Sequence, residues 1–147
     1  MNYWGAKVQA DTFLPDDYKP AEDEPFMNER QLEWFRRELI SQRDDILGES
    51  KSTIAGLQEA TRAIPDIADR ASEETDRALE LRIRDRQRKL VSKIDAALRR
   101  IDEGEFGYCA DTGEPISLRR LVARPTTTLS LEAQERHERK ERVHRDD

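Results

Sequence analysis

Two long stripes of apolar residues run through the middle of the chain. In the first, apolar side chains recur in steps of three, four, seven or eight from Leu32 to Ile64. In the second, they recur in steps of three, four or seven from Leu79 to Ile101. Such spacing places the apolar side chains on one side of a helix. The pattern therefore predicts two long helices, each with a single buried face.

Signals for helix ends bound the first of these helices. Asn28 and Gln31 have the spacing of a capping box, and Met27 and Leu32 have that of a hydrophobic staple. The helix is therefore predicted to begin after Asn28. Pro65 disfavours helical geometry in the residue before it, which ends the helix there.

The second helix is predicted to follow the short turn that contains Pro65. Asp66 or Asp69 can cap its start, and Gly104 is a plausible stop. Two long antiparallel helices joined by a short turn make a coiled-coil hairpin. We assign this hairpin to residues 28–104, with its tip at residues 64–71.

The flanking segments differ from the hairpin. Residues 1–27 contain an acidic, proline-rich stretch, "LPDDYKPAEDEP", and apolar side chains, which together predict an extended arm that packs on the globular part. Residues 105–147 predict a small irregular or two-stranded unit. This unit ends in a charged helix that Ser130 caps and that runs from Leu131 to about His144.

Composition supports a mainly helical protein that contacts other proteins. Charged residues make up 39% of the chain and hydrophobic residues 35%, which suits long solvated helices better than one compact globule. The net charge is −6, and no basic footprint for duplex DNA dominates. Because no segment has the character of a signal peptide or a membrane span, the expected location is cytoplasmic.

A degenerate zinc ribbon is the first candidate for chemistry. Cys109 is the single cysteine, and a C-x2-C, seventeen residues, C-x2-C frame puts Thr112, Ser130 and Ala133 at the other three positions. Neutral hydroxyls are poor zinc ligands and alanine is none. We therefore predict a unit without metal, in which Cys109 is an ordinary small core residue.

The spacing of the two histidines argues against a substitute zinc site. His137 and His144 are seven residues apart on a predicted helix, about 10 Å along its axis. This separation makes the two histidines poor companion ligands for Cys109 and Asp111.

The tip and a basic cluster are the other candidates, and each has two readings. Asp66 and Asp69 either cap a helix or form an acidic probe that meets a magnesium ion or a basic loop in a partner. The cluster either is a solvated face with pairs such as Asp85 and Lys89, or forms a phosphate-sized pocket. The basic residues concerned are Arg82, Arg84, Arg86, Arg88, Lys89 and Lys93, with Arg119, Arg120 and Arg124. No nucleophile–base pair or Gly-rich phosphate loop indicates an enzyme.

Several motifs together resemble the DksA branch of the DksA/TraR transcription factors, of the zinc-independent, cysteine-poor type. They are "MNERQLEWFRREL", "PDIADRAS", "LELRIRDRQRKL", "GEFGYC" and "ISLRRLVARPT", in this order, between Met27 and Thr126. The resemblance implies a monomer whose hairpin enters the secondary channel of bacterial RNA polymerase, without direct DNA binding. It implies that, with ppGpp, the factor alters open-complex stability, represses ribosomal-RNA promoters and activates amino-acid genes.

The resemblance also assigns residues. At the tip, the positions that matter in the family match Asp66, Asp69 and Ala71. Positions of the alarmone site between factor and polymerase match Leu90, Lys93 and Arg124, while a fourth, lysine in the family pattern, is Gln134. Without zinc, the globular part must be held by packing. Its core is expected to contain Phe106, Tyr108, Ile116, Leu118, Leu121, Val122, Leu129 and Leu131.

Two alternatives remain at this point. A Gre-like transcript-cleavage factor also carries an acidic hairpin tip, where carboxylates position a second magnesium ion. A structural coiled-coil dimeriser has the same helical pattern and no role at a polymerase.

Overall fold

The computed structural model describes residues 12–62 and 69–146. It contains four helices, which are α1 (Glu29–Arg62), α2 (Asp69–Glu103), α3 (Leu118–Ala123) and α4 (Leu131–Asp146). The mainly helical fold and the two long helices are confirmed, as is the charged helix after Ser130. Ile64 and Pro65, on which the predicted end of the first helix depends, lie outside the described residues.

Two compact units divide the described chain. One contains the residues up to Leu39 together with those from Ala96 onward, and the other contains Ile40–Asp95. Both long helices therefore contribute to both units. No helix in the described parts of the chain is long and apolar enough to cross a membrane.

At the start of α1, only one of the two hydrogen bonds of the predicted capping box is present. The side-chain oxygen of Asn28 accepts the backbone N–H of Gln31 at 2.9 Å, as predicted. The Gln31 side chain, however, accepts the N–H of Met27 at 2.8 Å instead of that of Asn28. The reason is that the Asn28 N–H already donates to the Pro25 carbonyl at 3.3 Å.

The described part of the N-terminal arm is fastened to α1 by hydrogen bonds. The Gln31 amide donates to the Ala21 carbonyl at 3.1 Å, and the Glu24 carboxylate accepts the Ala21 N–H at 2.9 Å. The Tyr18 hydroxyl donates to the same carboxylate. Burial and this carboxylate raise the pKa of Tyr18 to about 12, so the phenol remains a donor. Leu14 adds a buried apolar contact surface.

The first unit has a core built from several segments. The rings of Phe35 on α1 and Phe106, after α2, lie 5.1 Å apart between their centroids. Apolar area removed from water in this way is the main favourable contribution to folding. Other buried residues of this core are Leu39, Ile101, Cys109, Ile116, Leu118, Leu121 and Ala133.

Helix α3 is the element that the apolar pattern missed. A two-stranded or irregular unit was predicted here, but the described residues hold only an isolated bridge between Tyr108 and Pro115. Ser117 caps α3 by accepting the N–H of Arg120 at 3.2 Å. The helical turn directs Leu118 and Leu121 inward.

Four of the eight predicted core residues are not buried. Val122 is 39% exposed because it lies on the outer side of α3, and Leu131 is 55% exposed at the start of α4. Tyr108 and Leu129 are only half-buried. The core prediction was therefore wrong for Val122 and Leu131, holds in part for the half-buried Tyr108 and Leu129, and is confirmed for Phe106, Ile116, Leu118 and Leu121.

The second unit pairs α1 with α2. Ile54 is buried in it, whereas Leu79 and Leu90 on α2 keep 42% and 37% of their surface exposed. Arg43 on α1 and Asp95 on α2 form an ion pair at 3.0 Å. Each helix of such a pair buries only one narrow face. The rest of its surface is exposed to water, which accounts for the high charge content of the chain.

Candidate functional site

The predicted tip falls at the edge of what the structure describes. Asp66 lies outside the described residues, and so do the side chains of Asp69 and Ala71. The backbone of α2 begins at Asp69, where the partial positive charge of a helix N-terminus favours a carboxylate. Asp66, Asp69 and Ala71 therefore stay predictions as functional residues.

A polar contact joins the two helices near this end of the second unit. The hydroxyl of Thr61 on α1 donates to the carboxylate of Asp76 on α2. Both residues line an open groove, together with Leu57, Arg77 and Glu80. This hydrogen bond thus links α1 and α2 close to the segment of chain that connects them.

Part of the basic cluster on α2 is neutralised within the helix. Arg84 pairs with Glu80 at 3.0 Å, and Lys89 pairs with Asp85 at 3.1 Å. Arg88 approaches the same Asp85 carboxylate at 3.9 Å. The predicted pair of Asp85 and Lys89 is confirmed. Such exposed pairs contribute little to stability, roughly 0–1 kcal/mol each.

The other cations of this cluster form an unneutralised surface. Arg82, Arg86 and Lys93 are exposed, and none has an ion-pair partner among the described residues. Steps of four and seven residues place them on the same side of a helix. Arg86 lines an open groove together with Glu49 of α1, and the exposed cations on this side of α2 can attract acidic groups of a partner.

The residues assigned to the alarmone site fall into the two units. Leu90 and Lys93 belong to α2 within the second unit, while Arg124 ends α3 in the first. Lys93 and Arg124 are exposed. The phosphate-sized pocket that would combine them stays a prediction. Arg120, one of its predicted members, donates its side chain to the Leu129 carbonyl at 3.0 Å.

Gln134 is the residue at the position that the resemblance matches to a lysine. Its amide donates to the carboxylate of Glu138 at 3.1 Å, one turn further along α4. A negative group therefore lies beside this position. A neutral amide next to a carboxylate attracts phosphate less than a lysine would.

The four degenerate zinc positions come together in the first unit. Cys109 is 3% exposed, and its sulfur accepts the backbone N–H of Ser130 at 3.4 Å. Burial raises the pKa of the thiol. Hydrogen bonds from the Thr112 hydroxyl and from the N–H groups of Ser130, Thr112 and Asp111 outweigh that effect and lower the pKa to about 6. The burial of Cys109 was predicted, but its role as a hydrogen-bond acceptor was not.

The chemistry of these side chains does not fit zinc. The set is one thiol, two hydroxyls and one methyl group, whereas a structural zinc site needs four good ligands. In the described part of the chain, no group of three or more histidine, cysteine or acidic side chains is arranged to hold a metal ion. His137 and Asp111 bond each other instead, with 2.6 Å between Nε2 and Oδ2.

Comparison with known protein families gives two adjoining matches. Residues 31–101 match the family described as DnaK suppressor protein DksA, N-terminal domain. Residues 104–139 match the family described as prokaryotic dksA/traR C4-type zinc finger. The first match covers most of α1 and α2, and the second covers the unit with the degenerate zinc positions.

Individual relatives agree over most of their length. The RNA polymerase-binding transcription factor DksA of Caulobacter vibrioides (strain NA1000 / CB15N) is 66% identical over 131 residues, which are 89% of this chain and 92% of the relative. The protein of that name from Escherichia coli (strain K12) is 42% identical over 118 residues, or 80% and 77%.

A solved structure agrees as well. That of transcription factor DksA2 from Pseudomonas aeruginosa superposes with a TM-score of 0.71 at 44% identity, covering 80% of this chain and 90% of the other. The chain thus belongs to the DksA family, with a zinc-finger region that retains one cysteine at its four zinc positions.

Proposed function

We propose that this protein regulates transcription by binding RNA polymerase directly, with its hairpin inserted into the secondary channel. It acts in the cytoplasm as a monomer, and it neither contacts promoter DNA nor catalyses a reaction. Its targets are stringent-response promoters. There it changes open-complex stability together with ppGpp, represses ribosomal-RNA promoters and activates promoters of amino-acid genes.

Family membership is the observation that carries this proposal. The Caulobacter relative, whose name states that it binds RNA polymerase, matches 89% of this chain at 66% identity. Agreement of this extent covers α1, α2 and the zinc-finger region together. We therefore infer that this protein and its Caulobacter relative bind RNA polymerase in the same way, rather than that the same fold has an unrelated function here.

The form of the hairpin supports insertion into a channel. Helices α1 and α2 have 34 and 35 residues, so each is about 50 Å long at 1.5 Å per residue. A pair of helices reaches far into a partner while its own thickness stays small. The unneutralised Arg82, Arg86 and Lys93 offer an attractive surface to acidic groups along the way.

We propose that the tip residues Asp66, Asp69 and Ala71 act at the inner end of the channel. The sides of the two long helices supply most of the affinity for the polymerase. This division of roles follows from contact area, because the sides of the helices bury many side chains against the partner whereas the tip presents few. The tip then changes polymerase activity without being a major anchor.

Leu90, Lys93 and Arg124 are proposed to meet ppGpp at the interface with the polymerase. Charge-assisted hydrogen bonds to phosphate contribute about 1.5–3 kcal/mol each. Gln134 and its bonded partner Glu138 weaken this site relative to a chain with lysine at that position. We therefore propose a ppGpp effect that is present but reduced.

Transcription in vitro tests the proposal. Purified protein is added to RNA polymerase on a ribosomal-RNA promoter, with and without ppGpp, and the full-length transcript is measured. We expect repression by the protein alone and a further decrease with ppGpp. Unchanged transcript levels at saturating protein would contradict the proposal. Cleavage of RNA in stalled complexes would favour a Gre-like factor instead.

A further inference from the structure

Polar contacts join α1 and α2 at two levels of the second unit. Arg43 on α1 pairs with Asp95 on α2 at 3.0 Å, and the Thr61 hydroxyl donates to the Asp76 carboxylate. All four residues are half-buried. Apolar side chains on the facing sides of two helices would contribute more to stability than such polar pairs do. The presence of polar pairs there therefore calls for a reason other than stability.

The two contacts agree on one antiparallel register. Thr61 follows Arg43 by 18 positions along α1, and Asp76 precedes Asp95 by 19 positions along α2. In an antiparallel pair of helices, equal steps in opposite directions along the two chains keep residues level with each other. The two contacts lie about 27 Å apart along α1 at 1.5 Å per residue. They therefore specify the same alignment of the helices to within one residue.

The apolar residues do not select this register by themselves. In the observed register, Leu57 on α1 is level with Glu80 on α2, and both line the same groove. A slide of three positions, about 4.5 Å, would bring Leu57 level with Ile83 instead. The same slide would bring Ile46 level with Ile94, which is another residue of the apolar stripe on α2. Burial of the apolar stripes therefore permits more than one alignment.

This slide would break both polar contacts. Thr61 would come level with Leu79, and Arg43 would come level with Ala97, neither of which has a polar side chain. The two carboxylates on α2 would lose their partners on α1 while they stay half-buried. A polar group that loses its partner without full access to water costs free energy. The polar contacts therefore disfavour an alignment that the apolar residues allow.

We propose that the Arg43–Asp95 and Thr61–Asp76 contacts determine the register of the hairpin, by holding α1 and α2 in one of the alignments that the apolar stripes permit. Polar residues on the facing sides of coiled-coil helices specify register in this way, at a cost in stability. Thr61 lies one position before the end of α1, and Asp76 lies seven positions after the start of α2. The contacts thus set how the two helix ends stand against each other.

The role of this register in regulation rests on the proposed function. The helix ends at Arg62 and Asp69 are the points from which the tip is attached to the hairpin. A slide of one helix against the other would move these points relative to each other. The four residues are therefore positioning residues for the regulation of the polymerase, and they need not touch the polymerase themselves.

The test variant replaces both partners of each contact by apolar side chains. Its four substitutions are Arg43→Met, Thr61→Val, Asp76→Leu and Asp95→Leu. Because no polar partner is left alone, we expect this quadruple variant to melt at or above the wild-type temperature. Transcription from a ribosomal-RNA promoter is then measured at concentrations that saturate the polymerase, so that a loss of affinity does not contribute. We expect regulation by the quadruple variant to be several-fold weaker than that by wild type.

The register itself is measured on the full chain without polymerase. Spin labels are attached to Lys51→Cys and Glu74→Cys, which are exposed positions, in a Cys109→Ser background. In the observed register these positions are about 18 Å apart along the hairpin, so a slide changes the distance between the labels almost in full. The chain with all four polar residues should give one distance. The quadruple variant should give a second or shifted distance, displaced by about 4.5 Å or more.

Two control variants accompany the measurement. The first exchanges the ion pair by Arg43→Asp and Asp95→Arg and keeps the hydroxyl by Thr61→Ser, so both contacts can form again. It should give the wild-type distance and wild-type regulation. The second, Asp85→Leu with Lys89→Met, removes an ion pair that lies within α2 and should leave the distance unchanged.

Three results would overturn the proposal. If the quadruple variant gives only the wild-type distance, the polar contacts do not set the register. If it fails to fold, they stabilise the hairpin rather than select its alignment. If the distance shifts while regulation stays complete, the register does not position the tip. Should wild type itself leave the promoter unregulated, the proposed function fails, and the distance measurement still decides whether these contacts set the register.

Discussion

Glu33 is a charged side chain that lies fully buried on α1. Its carboxylate accepts two hydrogen bonds from Arg36 and one from Arg37, each at 2.7 Å. Arg37 also donates to the Thr12 carbonyl at 3.2 Å, so the same cluster holds the N-terminal arm. Burial raises the pKa of Glu33, but the hydrogen bonds and charges of the two arginines outweigh it and lower the pKa below 4.5.

The Glu33 cluster gives a pH-dependent prediction. Glu33→Gln keeps the size of the side chain but turns an acceptor oxygen into a donor that faces two guanidinium groups. We expect it to lower the free energy of unfolding by about 1–3 kcal/mol at pH 7. Because the folded-state pKa is lowered, the stabilisation is complete above the ordinary carboxyl pKa and is lost as pH falls further below it.

Denaturant unfolding at pH 7 and pH 3 measures this effect. The gap between wild type and Glu33→Gln should shrink at the lower pH, and the exposed Glu103→Gln serves as control with little effect at either. An equal gap at both pH values would mean that the ionised carboxylate does not stabilise the fold.

Cys109 gives a prediction in a different pH range. Its folded-state pKa is about 6, against an ordinary value of 9.0, because hydrogen bonds to the sulfur outweigh burial. The resulting stabilisation is complete above pH 9 and is lost as pH falls through 6. Stability of the wild type relative to Cys109→Ser should therefore increase from pH 6 to pH 9. Parallel stability curves for the two proteins would show that the folded state does not favour the thiolate.

At the scale of elements, the two long helices and their apolar faces were predictable because each signal is local. The 3.6-residue period marked α1 and α2, and Asn28 marked the start of the first. Helix α3 was missed because six residues complete fewer than two turns. The exposure of Val122 depends on how α3 packs, which the apolar pattern does not encode.

The hydrogen bond from Ser130 to Cys109 was beyond local signals. The two residues are 21 positions apart and are brought together only by the tertiary fold, whereas Asp111 and Thr112 reach the sulfur within one turn. Counting ligands disfavours zinc, but it gives no indication of which groups contact the Cys109 sulfur. By contrast, the pair of Asp85 and Lys89 was foreseeable because its four-residue spacing is local to one helix.

The hairpin tip is expected to control activity separately from affinity. Asp69→Asn keeps the size of the side chain and its capping ability, so the fold should be nearly unaffected. We expect loss of promoter regulation, with binding to RNA polymerase weakened less than about threefold, or below 1 kcal/mol. Transcription and polymerase-binding assays on the same preparation measure both, with the exposed Asp45→Asn as control. Full regulation by Asp69→Asn would rule out a role for this carboxylate.

The assignment of ppGpp-binding residues predicts that two substitutions weaken the response to ppGpp and that a third strengthens it. Lys93→Ala and Arg124→Ala should each remove most of the ppGpp-dependent repression and spare the ppGpp-independent part, because each deletes a cation that meets phosphate. Gln134→Lys should increase the ppGpp-dependent part, since it replaces a neutral amide with a cation beside Glu138. Titration of ppGpp into transcription reactions measures these effects. The assignment is contradicted if wild type responds to ppGpp and all three variants respond like it.

At the scale of the whole molecule, the protein combines a sparsely buried helical pair with a small unit that contains one cysteine. A small core is marginal on its own, and small domains commonly rely on a metal or on disulfides. Here the base of α1 and the described part of the N-terminal arm enlarge the core, through Leu39, Phe35 and Leu14. These contacts add buried apolar area to a unit that has one cysteine and therefore no internal disulfide.

The lifetime of preformed open complexes on a ribosomal-RNA promoter tests the central claim most directly. Zinc-free protein is added to open complexes together with a competitor that traps released polymerase, and the surviving complexes are counted over time. If the protein acts on the polymerase through its hairpin, wild type shortens the lifetime several-fold and Asp69→Asn does not. An unchanged lifetime at protein concentrations that saturate the polymerase would contradict the account.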